Sequence, residues 1–252
     1  MMSPAAELAV LGAGLAAGTL NTIVGSGSLI TFPTLLALGY PPVVANVSNT
    51  IGLVPGSISG AVGYRRDLEG QRARITRLGI ASVAGGLTGG VLLLVLPALV
   101  FRTVVPVLIL VACLLVAFQP RLSRRVAAGD GPGRPHGGPR LFVAVYATGV
   151  YGGYFGAAQG VILIALLGIF VDDGLQRLNA AKNVLAALVN GVAALLFVAF
   201  AHVAWVPAAL LAAGAVVGGQ VGAKLARRIS PGWLRAVIVV VGVVVAGRLL
   251  VR

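Results

Sequence analysis

The residues able to do chemistry in this chain are few, and most lie at two breaks in otherwise apolar sequence. The first break, Thr19-Leu20-Asn21-Thr22-Ile23-Val24-Gly25-Ser26-Gly27-Ser28, sets hydroxyls and an amide between apolar runs. The second, Gly156-Ala157-Ala158-Gln159-Gly160, carries the amide of Gln159. Glycine lets the backbone leave helical geometry, and N–H groups freed at the start of the next helix can receive an anion. The chemistry on offer is therefore neutral hydrogen bonding to a small anion, by Asn21, Ser26, Ser28 and Gln159 with the backbone of Gly27 and Gly160. In lipid such a break costs several kcal/mol unless it lines a cavity or is covered by protein. A kink filled by tight helix packing is the competing reading.

A second constellation comprises Asn46, Ser48 and Asn49, then Asn179, Lys182, Asn183 and Asn190. Residues three, four or seven apart share a helix face. Asn46 and Asn49 thus form one polar stripe, and Asn179, Lys182, Asn183 and Asn190 another. Hydrogen bonds between helices account for such asparagines equally well. Lys182 is the most telling residue. An ionisable group inside a membrane span is a functional hypothesis by default, and an ammonium offers an anion a compact charge with three donors. Snorkelling to the headgroups is the alternative.

The absences narrow the chemistry further. No carboxylate falls in the middle of an apolar run, so a carboxylate proton relay is not expected. Two histidines, His136 and His202, and one cysteine, Cys113, offer no convincing nucleophile set, metal cluster or disulfide. No phosphate-cradling loop is present. The chain reads as neither an enzyme nor a metal or cofactor protein.

The elements that must position these groups follow from composition. Charged residues make up 10% of the 252 residues, against about 25% in a soluble domain. With 58% hydrophobic residues and a mean hydropathy of +1.01, the chain is a polytopic membrane protein. The net charge of +13 comes from arginines in short loops, the pattern of membrane topology, and not from a nucleic-acid surface. Apolar runs cover residues 5–24, 29–38, 43–64, 78–96, 104–118, 141–155, 161–171, 178–200, 206–225 and 234–250. The runs 29–38 and 161–171 are too short to cross a bilayer as helices. Each is half of a broken helix or one arm of a hairpin. Residues 119–140, with glycine, proline and five arginines, read as a flexible basic linker. Asp172 and Asp173 are placed to cap the following helix, and Trp205 and Trp233 to anchor at interfaces. The glycines at 85, 86, 89, 90, 218, 219 and 222 are spaced for close helix packing.

The two halves, 1–118 and 141–252, repeat. A shift of 133 carries Gly85 to Gly218, Gly86 to Gly219, Gly89 to Gly222 and Arg102 to Arg235, and a shift of 134 carries Asn49 to Asn183. With the basic loops 65–77, 121–140 and 224–235 on the cytoplasmic side, residues 43–64 run inward and 178–200 outward. The repeats are then inverted, each with a hairpin plus three helices, and both termini lie outside. Four crossings per half would instead make the repeats parallel.

Several stretches, taken in order, resemble the sulfite exporter TauE/SafE family of membrane transporters. Asn21 to Gly27, Pro33, Gly39, Pro41, Asn46, Asn49, Pro55-Gly56 and Tyr64-Arg65 look like its first repeat. Gly152 to Gly160, Asn179 to Asn183, and Val203-Ala204-Trp205 look like its second, and Gly218 to Arg228 is similar to its penultimate helix end. The resemblance covers nearly the whole chain. It implies a two-repeat transporter of small sulfur-containing anions, such as sulfite or sulfonates, often moved outward.

The combined expectation is an all-α, multi-pass protein of the cell membrane with 8–10 membrane segments. It binds a small anion near the midplane through Asn21, Ser26, Gly27, Ser28, Asn46, Asn49, Gln159, Gly160, Asn179, Lys182 and Asn183. Its partners are that anion and the lipid bilayer, with a homodimer left open. A passive anion channel and a non-transporting membrane subunit are the alternatives.

Overall fold

The computed structural model describes residues 2–127, 137–226 and six positions between 239 and 247. Among them the chain is all-helical, with nine α-helices. They are α1 (Pro4–Ile23), α2 (Ser28–Ala37), α3 (Pro42–Gly63), α4 (Arg72–Val95), α5 (Ala98–Ala127), α6 (Gly138–Tyr154), α7 (Gln159–Phe170), α8 (Leu175–Phe200) and α9 (Trp205–Leu225). Five of these, α1, α4, α5 (to Phe118), α8 and α9, are long and apolar enough to cross a membrane. The protein is inside-out relative to a soluble fold. Leu99, Leu195 and Phe200 are more than 70% exposed, while Thr22, Ser26, Asn46, Ser48, Asn49, Gln159 and Lys182 are buried. Apolar side chains can face lipid without loss, whereas polar ones must find partners inside.

Glycine-lined contacts set the packing. Gly14 and Gly18 lie against the backbone of Leu211 and Ala215, so α1 runs parallel to α9. Gly149 and Gly153 lie against Ser82 and Gly86, so α6 runs parallel to α4. Likewise Gly52 and Gly56 of α3 meet Leu211 and Ala215 of α9, and Gly86 and Gly90 of α4 meet Val189 and Ala193 of α8. The result is two bundles. One holds α1, α3 and α9, the other α4, α6 and α8, and each draws helices from both halves of the chain. They join along α3 and α8. These two helices are antiparallel: Tyr64, just past α3, meets Asn179 early in α8, while Ser48 near the start of α3 bonds Ala204 beyond the end of α8.

The contacts recur in step. Gly85 faces the carbonyl of Tyr146 as Gly218 faces that of Leu15, and Gly89 faces Val150 as Gly222 faces Thr19. The shift from Gly85 to Gly218 is the 133 residues seen in the sequence.

Neither short helix is among those long and apolar enough to cross a membrane. Helix α1 descends with α9, and α2 returns to the face where α3 begins. Helix α6 rises with α4 from the opposite face, and the segment after α7 returns there, where Asp173 pairs with Arg74 at 2.8 Å. Each is a hairpin that enters and leaves through one face. An α2 of 10 residues is about 15 Å long, half of the ~30 Å hydrocarbon thickness.

Three details of the sequence reading are corrected. Helix α4 begins at Arg72, six residues before its apolar run, so Arg72, Arg74 and Arg77 lie on a helix and not in a loop. Helix α5 continues to Ala127 and α6 starts at Gly138, so helix covers both ends of the expected linker 119–140. Asp173 does not cap α8, whose N-cap is Gly174 without a side-chain bond. Its carboxylate instead binds Arg74 and, at 2.8 Å, Arg177. The run 234–250 lies mostly, and Trp233, Arg235 and His136 wholly, outside the described residues.

Burial alone would raise the Asp173 carboxyl, but bonds from Arg74 and the Gly174 N–H and the charges of Arg177 and Arg74 hold it below its ordinary value. A lowered folded-state pKa adds stability above the unfolded pKa and loses it as pH falls through the folded one. The stability difference between wild type and Asp173→Asn in detergent is therefore expected to narrow below pH ~4. At Gly89 an added Cβ would lie 2.0 Å from the Val150 carbonyl. Gly89→Leu is expected to cost at least about 2 kcal/mol. Gly12→Ala, with nothing within 4 Å, should gain about 0.5–1 kcal/mol. Thermal unfolding measures both.

Candidate functional site

The two breaks meet. The N–H of Gly160 donates to the carbonyl of Gly25 at 3.1 Å, and a Cβ on Gly25 would lie 2.3 Å from Gly160 Cα. The chain passes this point only because Gly25 has φ +85°, a conformation that glycine adopts without strain. The second tip turns through Gly156 (φ +75°) and Ala158 (φ +57°), and the Tyr151 hydroxyl donates across it to the Ala157 carbonyl.

The first tip ends α1, whose last carbonyls have no partner within the helix. Helix α8 supplies donors. Lys182 Nζ donates to the carbonyls of Asn21 at 3.2 Å and Thr22 at 3.1 Å. Asn179 and Asn183 each donate to Thr22 at 3.3 Å. Asn179 also donates to the Tyr64 hydroxyl at 2.8 Å, and the Asn21 amide donates to Ser57 at 3.1 Å. Lys182 is 1% exposed and does not snorkel. The negative end of the α1 dipole offsets its charge. In the second tip the corresponding service is smaller: Asn46 of α3 donates to the Tyr154 carbonyl at 3.0 Å.

The remaining predicted residues form a neighbouring polar group. Asn49 accepts from the Thr31 hydroxyl and donates to Ser28 at 3.1 Å. Gly27 is packed on the Ala17 carbonyl, and the Gln159 amide lies against Gly152. Among the described residues six buried polar atoms have no hydrogen-bond partner; Ser26 Oγ, Gln159 Nε2 and Asn46 Oδ1 belong to the predicted set, and Ser82 Oγ, Tyr154 Oη and Gln176 Oε1 do not. Orphaned buried groups of this kind are rare in folded proteins. Ser26 and Gln159 present donors, which suit a small oxyanion, whereas Asn46 Oδ1 is an acceptor and suits only a protonated one.

The predicted set thus divides. Asn21, Asn179, Lys182 and Asn183 clasp the end of α1. Ser28 and Asn49 bond each other beside α2. Ser26, Gly27, Gln159 and Gly160 lie at the tips, and Asn46 holds the second tip. Asn190, on the same stripe, is only half-buried. The sequence reading missed Thr22, Thr31 and Tyr64. The first is used through its backbone carbonyl, which no side-chain pattern reveals. Thr31 sits four residues beyond Gly27, and its hydroxyl spacing was the available signal.

Gly39 also has a positive φ, +88°, with nothing within 4 Å of a Cβ. Gly39→Ala therefore isolates the conformational cost, about 1 kcal/mol. Gly25→Ala adds the clash with Gly160 and is expected to cost about 2–4 kcal/mol in all, read as the drop in unfolding temperature beside Gly39→Ala.

Known proteins are similar to this chain over nearly its whole length. The family model for the sulfite exporter TauE/SafE matches residues 10–249. The chain is 27% identical to "Probable membrane transporter protein YfcA" of Escherichia coli K12, covering 99% of this chain and 91% of that one. It is 26% identical to "Probable membrane transporter protein ORF9" of Sinorhizobium sp, over 93% and 88% of the two chains. A "Probable membrane transporter protein" of Haemophilus influenzae is 25% identical over 94% and 91%. No solved structure matches. The family is described as a sulfite exporter family, and these relatives are named as probable membrane transporters. With nearly its whole length matched and its apolar helices facing outward, the chain is a multi-pass membrane protein that belongs to the sulfite exporter TauE/SafE family.

Proposed function

We propose that the protein is a secondary transporter that exports small sulfur-containing anions, sulfite or a small sulfonate, from a site between the two hairpin tips. The observation that carries this reading is the pair of orphaned buried donors, Ser26 Oγ and Gln159 Nε2, on segments that meet at Gly25 and Gly160. The buried ammonium of Lys182 supports an anionic ligand, since it donates to the neutral carbonyls of Asn21 and Thr22. The family model's own description supports sulfite as the first substrate to test.

The fold is read as an inverted duplication. Antiparallel α3 and α8, hairpins entering from opposite faces, and glycine contacts recurring at a shift of 133 all support it. Because each bundle mixes both halves, alternating access is a rocking of the α1–α3–α9 bundle against the α4–α6–α8 bundle about the α3–α8 seam. Whole repeats do not move apart, since that would open the glycine contacts. An inside-negative potential favours exit of an anion by about 2.3 kcal/mol per charge per 100 mV, so plasma-membrane export needs no carboxylate relay.

Counterflow of labelled sulfite and methanesulfonate in proteoliposomes tests this. Saturable exchange is expected, with Ser26→Ala and Gln159→Leu each raising KM roughly tenfold, the weight of one net hydrogen bond. Flux without saturation or counterflow would make the protein a channel. No flux of either anion, with the protein folded, would contradict the substrate class.

A further inference from the structure

Three donors converge on one acceptor at the end of α1. Lys182 Nζ at 3.1 Å, Asn179 Nδ2 at 3.3 Å and Asn183 Nδ2 at 3.3 Å all reach the Thr22 carbonyl. A carbonyl oxygen has two lone pairs, so one donor is surplus. The asparagine amides are neutral, and Asn179 is tied to Tyr64 as well. Lys182 carries the charge and the longest, most mobile stem. If it leaves, Thr22 keeps both asparagines and α1 stays capped. Only the carbonyl of half-buried Asn21 loses its lysine bond.

What would draw the lysine away is also nearby in sequence. Ser26, with its orphaned hydroxyl, lies four residues beyond Thr22 in the same tip. A helix C-terminus offers an ammonium roughly half a negative charge, whereas a bound oxyanion offers a full one and stronger, charge-assisted bonds. We propose that Lys182 is a mobile counter-cation, parked on the Asn21 and Thr22 carbonyls while the site is empty and transferred to the anion when it binds. The transfer loosens the tie between the α1–α2 hairpin and α8, which belong to opposite bundles. Substrate binding thereby weakens one contact across the seam that rocking must break. This inference rests on the anion-carrier reading above and assigns Lys182 a moving role within it.

The test uses thermal unfolding of the purified full-length chain, with and without sulfite or methanesulfonate. Lys182→Met is expected to unfold within a few degrees of wild type, because the asparagines still cap Thr22, and to show no anion-induced rise. Asn183→Leu removes the surplus, so the lysine is held harder, and the anion concentration for half the shift should increase several-fold. A Lys182→Met protein that fails to fold or unfolds far below wild type would make the lysine a fixed cap and overturn the proposal. So would an undiminished anion shift in Lys182→Met. If wild type responds to neither anion, the sulfur-anion reading fails by itself, and the stability of Lys182→Met still decides whether the lysine is a dispensable donor.

Discussion

The backbone contact between Gly25 and Gly160 is the constraint around which the molecule is arranged. Two hairpins can touch tip to tip inside an apolar slab only if both tips lack side chains at the contact. They must also reach that depth from opposite faces. Each tip leaves helix-end carbonyls and buried polar groups that lipid cannot satisfy. The surrounding helices are polar where they are because of this. Helix α8 carries Asn179, Lys182 and Asn183 against the end of α1, and α3 carries Asn46 against the end of α6. The polar stripes are thus first a structural requirement of the hairpins. In the proposed function, the anion uses the groups left over.

The two hairpins differ in chemistry. The end of α1 is held by three side chains of α8, one of them charged, and the end of α6 by a single amide from α3. The position that a shift of 134 pairs with Lys182 is Ser48, whose hydroxyl is engaged by the backbone of Ala204. One tip therefore has a charge to share and the other does not. In the proposed cycle that difference lets an anion act on one hairpin more than on the other.

Much of the fold was legible in the sequence because apolar length and glycine spacing report directly on lipid and helix contact. The two breaks, the short arms and the glycine pairs all lie where the runs predicted them. Helix ends were less legible. Amphipathic turns such as Arg72–Arg77 and the helical continuation past Phe118 carry charge and so read as loops. Site residues were legible as types and only partly as partners. Asn179, Lys182 and Asn183 were correctly placed on one face, but their common acceptor is a main-chain carbonyl, and backbone groups leave no mark in a sequence. Asp173 read as a cap because caps are local, whereas one of its partners, Arg74, is 99 positions away in the chain.

The opposed entry of the two hairpins can be tested directly. In a Cys113→Ala background, single cysteines at Leu38, just past α2, and at exposed Asp172, just past α7, can be probed with a membrane-impermeant maleimide. Right-side-out and inverted vesicles report the two faces separately. Leu38→Cys is expected to label only from outside and Asp172→Cys only from inside. Labelling of both from the same face would contradict the opposed hairpins and, with them, the site between their tips.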